Sequence, residues 1–213
     1  MVVLPRPAQY RDLPGGGKLQ YRFLLTGDEM TTDTATRRID EAPCRIRRIT
    51  AATDAELQAL ADVLIDCVDG GASVSFMHPL APAKALAFWR DVAAAAAQGR
   101  RALLVAEDDA GIAGTVQLML DLPENQPHRA DLGKMLVHRR ARRRGVGDAL
   151  MVAAEQAGRD SGKSLLVLDT ASADAERLYT RHGWQRCGTI PGFALLPHGG
   201  LCATTLFYKA LSG

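Results

Sequence analysis

From residue 44 onward the chain switches repeatedly between two hydrophobic periods, and the switches mark out a series of elements. "CRIRRIT" (44–50) alternates apolar and polar positions, as a half-buried strand does. Thr53 or Asp54 then caps a helix whose apolar residues, Leu57, Leu60, Ala61, Leu64 and Val68, recur every three or four positions until Gly70-Gly71 ends it. "ASVSFMHPL" reads as a loop, and Pro82 opens a second helix through Ala85, Phe88, Trp89 and Val92 to Gly99. "ALLVAED" and "IAGTVQLML" are a strand and its return across the turn "DDAG"; after the loop "LPENQPHR" comes the strand "ADLGKMLV". A helix carrying Val146, Leu150, Ala153, Ala154 and Ala157 stops at Ser161-Gly162. The uninterrupted apolar run of "SLLVLDT" suits a central strand. A short helix capped by Ser172 ends at Gly183, and "WQRCGTI" and "LCATTLFYKAL" close the chain as strands. A meander of strands followed by a strand-helix-strand unit predicts an α/β (α+β) fold, a mixed sheet with helices on its faces.

Residues 1–43 break this pattern. Pro5, Pro7, Pro14 and Gly15-Gly16-Gly17 punctuate them, and they carry little helical period. They are expected to be a poorly ordered extension on a domain spanning 44–213, and Met30 is an alternative start. The composition changes the picture only by exclusion. Of 213 residues, 47% are apolar and 23% charged, and the net charge is +2, so overall charge argues for neither nucleic acid nor membrane. Cys44, Cys67, Cys187 and Cys202 form no CxxC pair, and no histidine stands at zinc-finger spacing, so free thiols in the cytoplasm and no metal are expected. His138 and His182 read as surface residues, and Phe88 and Trp89 as core.

Candidate chemistry concentrates in "HRRARRRGVGDALM" (138–151), between a strand and a helix. A helix N-terminus offers unpaired N–H groups and the positive end of the helix dipole, and phosphate is its natural ligand. Gly145 and Gly147 let the backbone approach an anion closely, and the neighbouring arginines add charge for a diphosphate. Neither GxxxxGK[ST] nor GxGxxG with a following acidic residue is present, so the usual nucleotide loops do not apply. A nucleic-acid surface would interleave aromatics with the basic run; here there are none, and aromatics are 5% of the chain.

"RRRGVG" after the strand "KMLV" resembles the acetyl-coenzyme A loop of the GNAT N-acetyltransferases, and "LYTRHGW" is similar to that family's Leu-Tyr-x-x-x-Gly-aromatic segment beyond the next strand. The resemblance covers roughly residues 45 to 211. "GGASVSFM", "RADLGKMLV", "LLVLDT", "IPGF" and "TTLFYKAL" further resemble the tabtoxin-resistance acetyltransferases, a subgroup acting on an amino-acid β-lactam toxin. The resemblance implies a mostly antiparallel central sheet splayed in the middle, with acetyl-CoA in the cleft. It implies an enzyme moving the acetyl group to a primary amine of a small molecule, an amino-acid-like toxin or antibiotic, by direct attack in a ternary complex.

It also assigns residues. Met135, Leu136 and Val137 would pair with the pantetheine arm, and Arg142, Arg143, Arg144, Gly145, Val146, Gly147 and Asp148 would hold the pyrophosphate. Tyr179 would donate a proton to the departing thiolate, and Asp131 or Asp169 would take one from the amine. Ser172 stands where many members have an asparagine on the cofactor, and Gly71, Ser73 and Phe76 would meet the acceptor. Arg143 replaces a common glycine, which requires its backbone to stay right-handed. Protein, peptide or polyamine acceptors, a non-catalytic acetyl-CoA sensor, and a monomer or homodimer all stay open, with neither nucleic acid nor membrane as partner.

Overall fold

The computed structural model describes residues 44–211; the expected extension at 1–43 lies outside them. The elements run β1 (Arg45–Ile49), α1 (Asp54–Asp69), α2 (Pro82–Ala97), β2 (Arg101–Asp108), β3 (Gly111–Met119), β4 (Arg129–Val137), a 3-10 turn (Arg139–Ala141), α3 (Val146–Asp160), β5 (Leu165–Thr170), α4 (Ala173–Arg181), β6 (Gln185–Leu195) and β7 (Leu201–Ala210). Thr53 caps α1 through a reciprocal capping box with Glu56, and Pro82 opens α2 where its missing N–H costs nothing.

The strands form one seven-stranded sheet in the order β1-β2-β3-β4-β5-β7-β6. Every neighbouring pair is antiparallel except β4 and β5, which lie parallel. Two apolar clusters cover its faces. One packs α3 and α4 on the sheet through Leu150, Met151, Leu166 and Phe207; the other packs α1 and α2 through Leu60, Leu64, Trp89 and Leu103. The mixed sheet with helices on its faces is the architecture the pattern implied, and its mostly antiparallel pairing is what the family resemblance implied.

Two features position the site. First, β4 and β5 pair only at Arg129–Asp131 against Leu165–Val167, then diverge, so the sheet opens between Leu132–Val137 and Leu168–Thr170. Second, the register of β3 against β4 steps from Gln117↔Gly133 to Thr115↔Leu136, a bulge that places Lys134 and Met135 opposite Val116 alone. Lys134 there has φ +50°. Hydrophobic alternation predicts a plain strand at 130–137 and gives no sign of the bulge.

Two expectations need correction. The strand predicted at 184–190 continues to Leu195 through Pro191, with a register shift between Ile190 and Ala194. Proline is tolerated because β6 is an edge strand, where no ladder bond is lost. Arg143 does not stay right-handed: its φ is +59°. It therefore occupies the glycine-like conformation directly and bears a side-chain penalty of about 1–2 kcal/mol there.

Candidate active site

The anion loop is built by the end of β4 and the start of α3. Gly145, at φ 80° and ψ 0°, is the N-cap of α3 and makes no side-chain cap, so nothing of the protein occupies the helix end. Among the described residues, none of the amides from Arg143 to Asp148 donates to a backbone carbonyl; Ala149 is the first that does, to Gly145. At Gly147 α3 lies close to α4, where a Cβ would stand in ordinary contact 3.4 Å from Leu178 Cδ2. A run of free amides at the positive end of a fifteen-residue helix is a cradle fitted to a phosphate.

The arginines divide by task. The Arg142 guanidinium turns inward, with Nε 3.1 Å from the Val137 carbonyl, and Arg139 donates from its backbone N–H to buried Asp66 on α1 at 2.9 Å and also pairs with it through Nε. Arg140 pairs with Asp108 at 2.5 Å. These three hold the loop against β2, β4 and α1. Among the described residues Arg143 and Arg144 are in no ion pair, so they are the ones whose charge remains available to an anion. Asp148 faces α4, where it accepts from Arg181 at 2.9 Å and His182 Nε2 at 3.0 Å. Burial pushes its carboxyl up, but those two partners outweigh this and hold it below the usual carboxylate range. Ser172 caps α4, its Oγ accepting from Ala175 N–H at 3.4 Å.

In the opening of the sheet, β4 presents Leu132–Val137 with no β5 partner on that side. The Leu136 side chain is buried among α1 and α2, which fixes the strand's rotation there. Across the opening Tyr179 is 4% exposed, packed on Trp184 and Phe207 at ring distances of 5.9 and 5.7 Å. Burial, and then the charge of Asp169, push its phenol well above the usual tyrosine range, so it is neutral through physiological pH. Asp169 lies at the open end of β5, exposed, and accepts from Thr204 Oγ1 on β7 at 2.7 Å. Asp131 sits instead at the last paired position, opposite Val167; its Oδ2 lies 3.3 Å from Arg129 and its buried Oδ1 has no partner.

The loop between α1 and α2 reaches across to the far end of the sheet. Ser73 donates to the Leu195 carbonyl at 3.3 Å and touches Cys202 Sγ at 3.6 Å, and His78 N–H bonds the Pro197 carbonyl at 3.0 Å. Phe76 stands edge-on to Phe88, 5.3 Å between ring centroids. Gly71 turns the chain out of α1 at φ +86°. Trp89 is core, whereas Phe88 is only partly buried. Periodicity missed Lys134, whose side chain joins this wall: Nζ lies 3.3 Å from Ser75 Oγ and 5.6 Å from the Phe88 centroid. Its signal is a register step between strands, which no local pattern carries.

Comparison with known proteins agrees with this geometry. Residues 99–186 match the family model described as acetyltransferase (GNAT) domain. That span runs from β2 through the anion loop to the start of β6, so this segment matches a GNAT acetyltransferase domain, and the match marks the protein as an acyltransferase enzyme. Among solved structures, the chain is similar to the ribosomal-protein-alanine N-acetyltransferase of Brucella melitensis (22% identity, covering 78% of this chain and 99% of that one, TM-score 0.65). It is also similar to a phosphinothricin acetyltransferase of the GNAT superfamily from Sinorhizobium meliloti, solved in complex with acetyl-CoA (17% identity, 80% and 90%, TM-score 0.65). An N-acetyltransferase from Staphylococcus aureus Mu50 gives 14% identity, 79% and 99% coverage, and a TM-score of 0.66. At these identities the likeness is one of fold.

Proposed function

We propose that the protein acetylates a primary amine on a small, amino-acid-like molecule, using acetyl-CoA in a ternary complex. The observation that carries the reading is the run of free amides from Arg143 to Asp148 at the start of α3, beside the opening between β4 and β5. Acetyl-CoA supplies the activated acetyl thioester and a thiolate leaving group. The amides of Arg143 to Gly147 and the charges of Arg143 and Arg144 would hold its pyrophosphate, and the unpaired edge of Met135–Val137 its pantetheine arm. A backbone N–H near Leu136, on the unpaired edge and aimed at the thioester carbonyl, would contribute about 3 kcal/mol in a water-poor cleft.

The chain's own groups then divide the proton work. Asp169 is our first choice to relieve the attacking amine of its proton, directly or through water, because it stands exposed at the opening. Asp131 is second, since it stands at the last paired position of β4 and β5 rather than at the opening. Tyr179, kept neutral by burial and by Asp169, would donate to the departing sulfur. The resemblance of "GGASVSFM" and "TTLFYKAL" to the tabtoxin-resistance acetyltransferases supports an amino-acid-like acceptor, a toxin or antibiotic. The free thiols of Cys44, Cys67, Cys187 and Cys202 fit the reducing cytoplasm.

The test is free-thiol release from acetyl-CoA with a panel of amines, alongside calorimetric binding of CoA. Tyr179→Phe should cut turnover about a hundredfold, as loss of a general acid does, and leave CoA affinity within about twofold. Equal losses in both would remove Tyr179 from the chemistry. A protein that binds CoA but acetylates no amine would be the sensor instead.

A further inference from the structure

The acceptor side of the sheet holds two cations that the acetyl-transfer scheme leaves without a task. Arg101 begins β2 and Lys134 sits on the β4 bulge. The register places them on one face. Arg101 pairs across to Met119, and Met119 to Asp131, while Leu103 pairs to Gln117 and Gln117 to Gly133, next to Lys134. Leu103 packs against α1 and α2, so this is the α1/α2 face, the one that Phe76, Phe88 and Ser75 wall.

Neither cation has a carboxylate partner among the described residues. Arg101 donates to the neutral Gln117 side chain at 2.6 Å, and Lys134 to the neutral Ser75 hydroxyl at 3.3 Å. Both are partly buried, and an uncompensated buried charge is costly unless a counter-charge arrives. Burial holds the Lys134 ammonium below the usual lysine range, with Asp169 pulling it up and Arg101 pushing it further down; burial and then Arg100 likewise hold Arg101 down. Two like charges near enough to oppose one another have thus been kept on one wall.

The backbone adds an independent sign. Among the described residues three non-glycines lie at positive φ, namely Ser75, Lys134 and Arg143, and the first two touch each other. Each left-handed side-chain residue costs about 1–2 kcal/mol, and such strain gathers where a side chain must be aimed. Here it aims the Lys134 ammonium over Phe88.

We propose that Lys134 and Arg101 form a subsite for a carboxylate on the acceptor, so that the substrate is an amine carrying its own nearby carboxylate, an amino acid rather than a simple amine. Asp169, on the β5 side of the same face, takes the amine end. The two cations and one anion then match a zwitterion in charge order. Lys134 and Arg101 act here as specificity residues. The proposal rests on the acetyl-transfer reading and narrows its acceptor.

A panel of L-amino acids is compared with the matching amino acid amides, which keep the amine and lose the carboxylate charge. Two readouts are taken: thiol release with acetyl-CoA, and the rise in Tm that each compound gives the protein. The acids should be preferred by about tenfold or more in kcat/KM, and should raise Tm where the amides do not, since a charged partner is at stake. In Lys134→Met and in Arg101→Gln the acid-to-amide ratio should fall toward one and the Tm difference should vanish, while Lys134→Arg keeps most of both. Amides used as well as acids, or a preference surviving in both neutral variants, overturns the subsite. Absence of thiol release with every amine would defeat the acetyl-transfer reading, and the Tm comparison would still decide the carboxylate site. If one variant fails to fold, the other and the wild-type panel decide it.

Discussion

Replacing Gly114 by alanine should strike both the core and the anion loop. Gly114 lies on β3 opposite Val137 of β4 and beneath α3. A Cβ built there would stand 2.8 Å from the Leu136 carbonyl oxygen, 3.2 Å from Leu150 Cδ1 and 3.2 Å from Val146 Cγ1. The carbonyl belongs to the sheet and cannot swing away. The two methyls belong to α3, and Val146 is its first residue. Relief therefore requires the start of α3 to move outward. Overpacking by one methyl costs about 1–3 kcal/mol, and replacing glycine by alanine returns up to about 1 kcal/mol through the unfolded chain, for a net loss of about 1–2 kcal/mol. At this size that lowers Tm by roughly 2–8 °C. The same displacement shifts the amides from Arg143 to Gly147, so the affinity for CoA should fall several-fold. Urea unfolding and calorimetric titration with CoA measure the two effects. A Gly114→Ala protein with an unchanged urea midpoint and unchanged affinity would refute the claim that α3 is seated on β3 by the missing side chain.

Two further predictions concern stability. Glu155, 9% exposed at its side chain, accepts from Lys209 at 2.6 Å and from Trp184 Nε1 at 3.1 Å, so it ties α3 to β7 and to the residue preceding β6. Glu155→Ala leaves the Trp184 N–H without this partner and the Lys209 charge with only the neutral His182 carbonyl at 2.5 Å, and should cost about 3–5 kcal/mol in urea unfolding; adding Lys209→Met should recover part of it, and a single-variant loss under about 1 kcal/mol would contradict the buried pair. Arg47 joins Glu107 at 2.6 Å and Glu56 at 2.5 Å. The Arg47 hydrogen bond is the main cause holding Glu107 below the usual glutamate range, while for Glu56 the Thr53 backbone bond leads and Arg47 adds to it. A carboxyl lowered on folding stabilises fully above its unfolded value, about 4.3, and loses that stabilisation as pH falls through its folded value. Arg47→Met should therefore flatten the fall in stability between about pH 5 and pH 3, and a slope equal to wild type would count against the pair.

Local signals carried much of the protein. A cap at Thr53 or Asp54, Pro82 at the start of α2 and Gly145 before α3 are visible in the sequence because each satisfies a backbone need within a few residues, and the structure chooses Thr53. The strand-loop-helix setting of the arginine run was legible for the same reason: a helix start and its free amides are a property of one short segment. "LYTRHGW" likewise placed Tyr179 on the helix whose end it marks, and the structure buries it beside Asp169.

The rest depends on which strand lies beside which, and at what register. The opening after Asp131 exists because β4 and β5 stop pairing, and Lys134 is presented because β4 carries one more residue than β3 across the bulge. The arginine run shows the same limit. Sequence puts its members together, but only the positions of Asp66, Asp108 and the Val137 carbonyl decide that Arg139, Arg140 and Arg142 brace the loop while Arg143 and Arg144 form no ion pair among the described residues. Periodicity records how each segment buries its own apolar face. It holds no information about long-range register, and register set which charges met at the cleft.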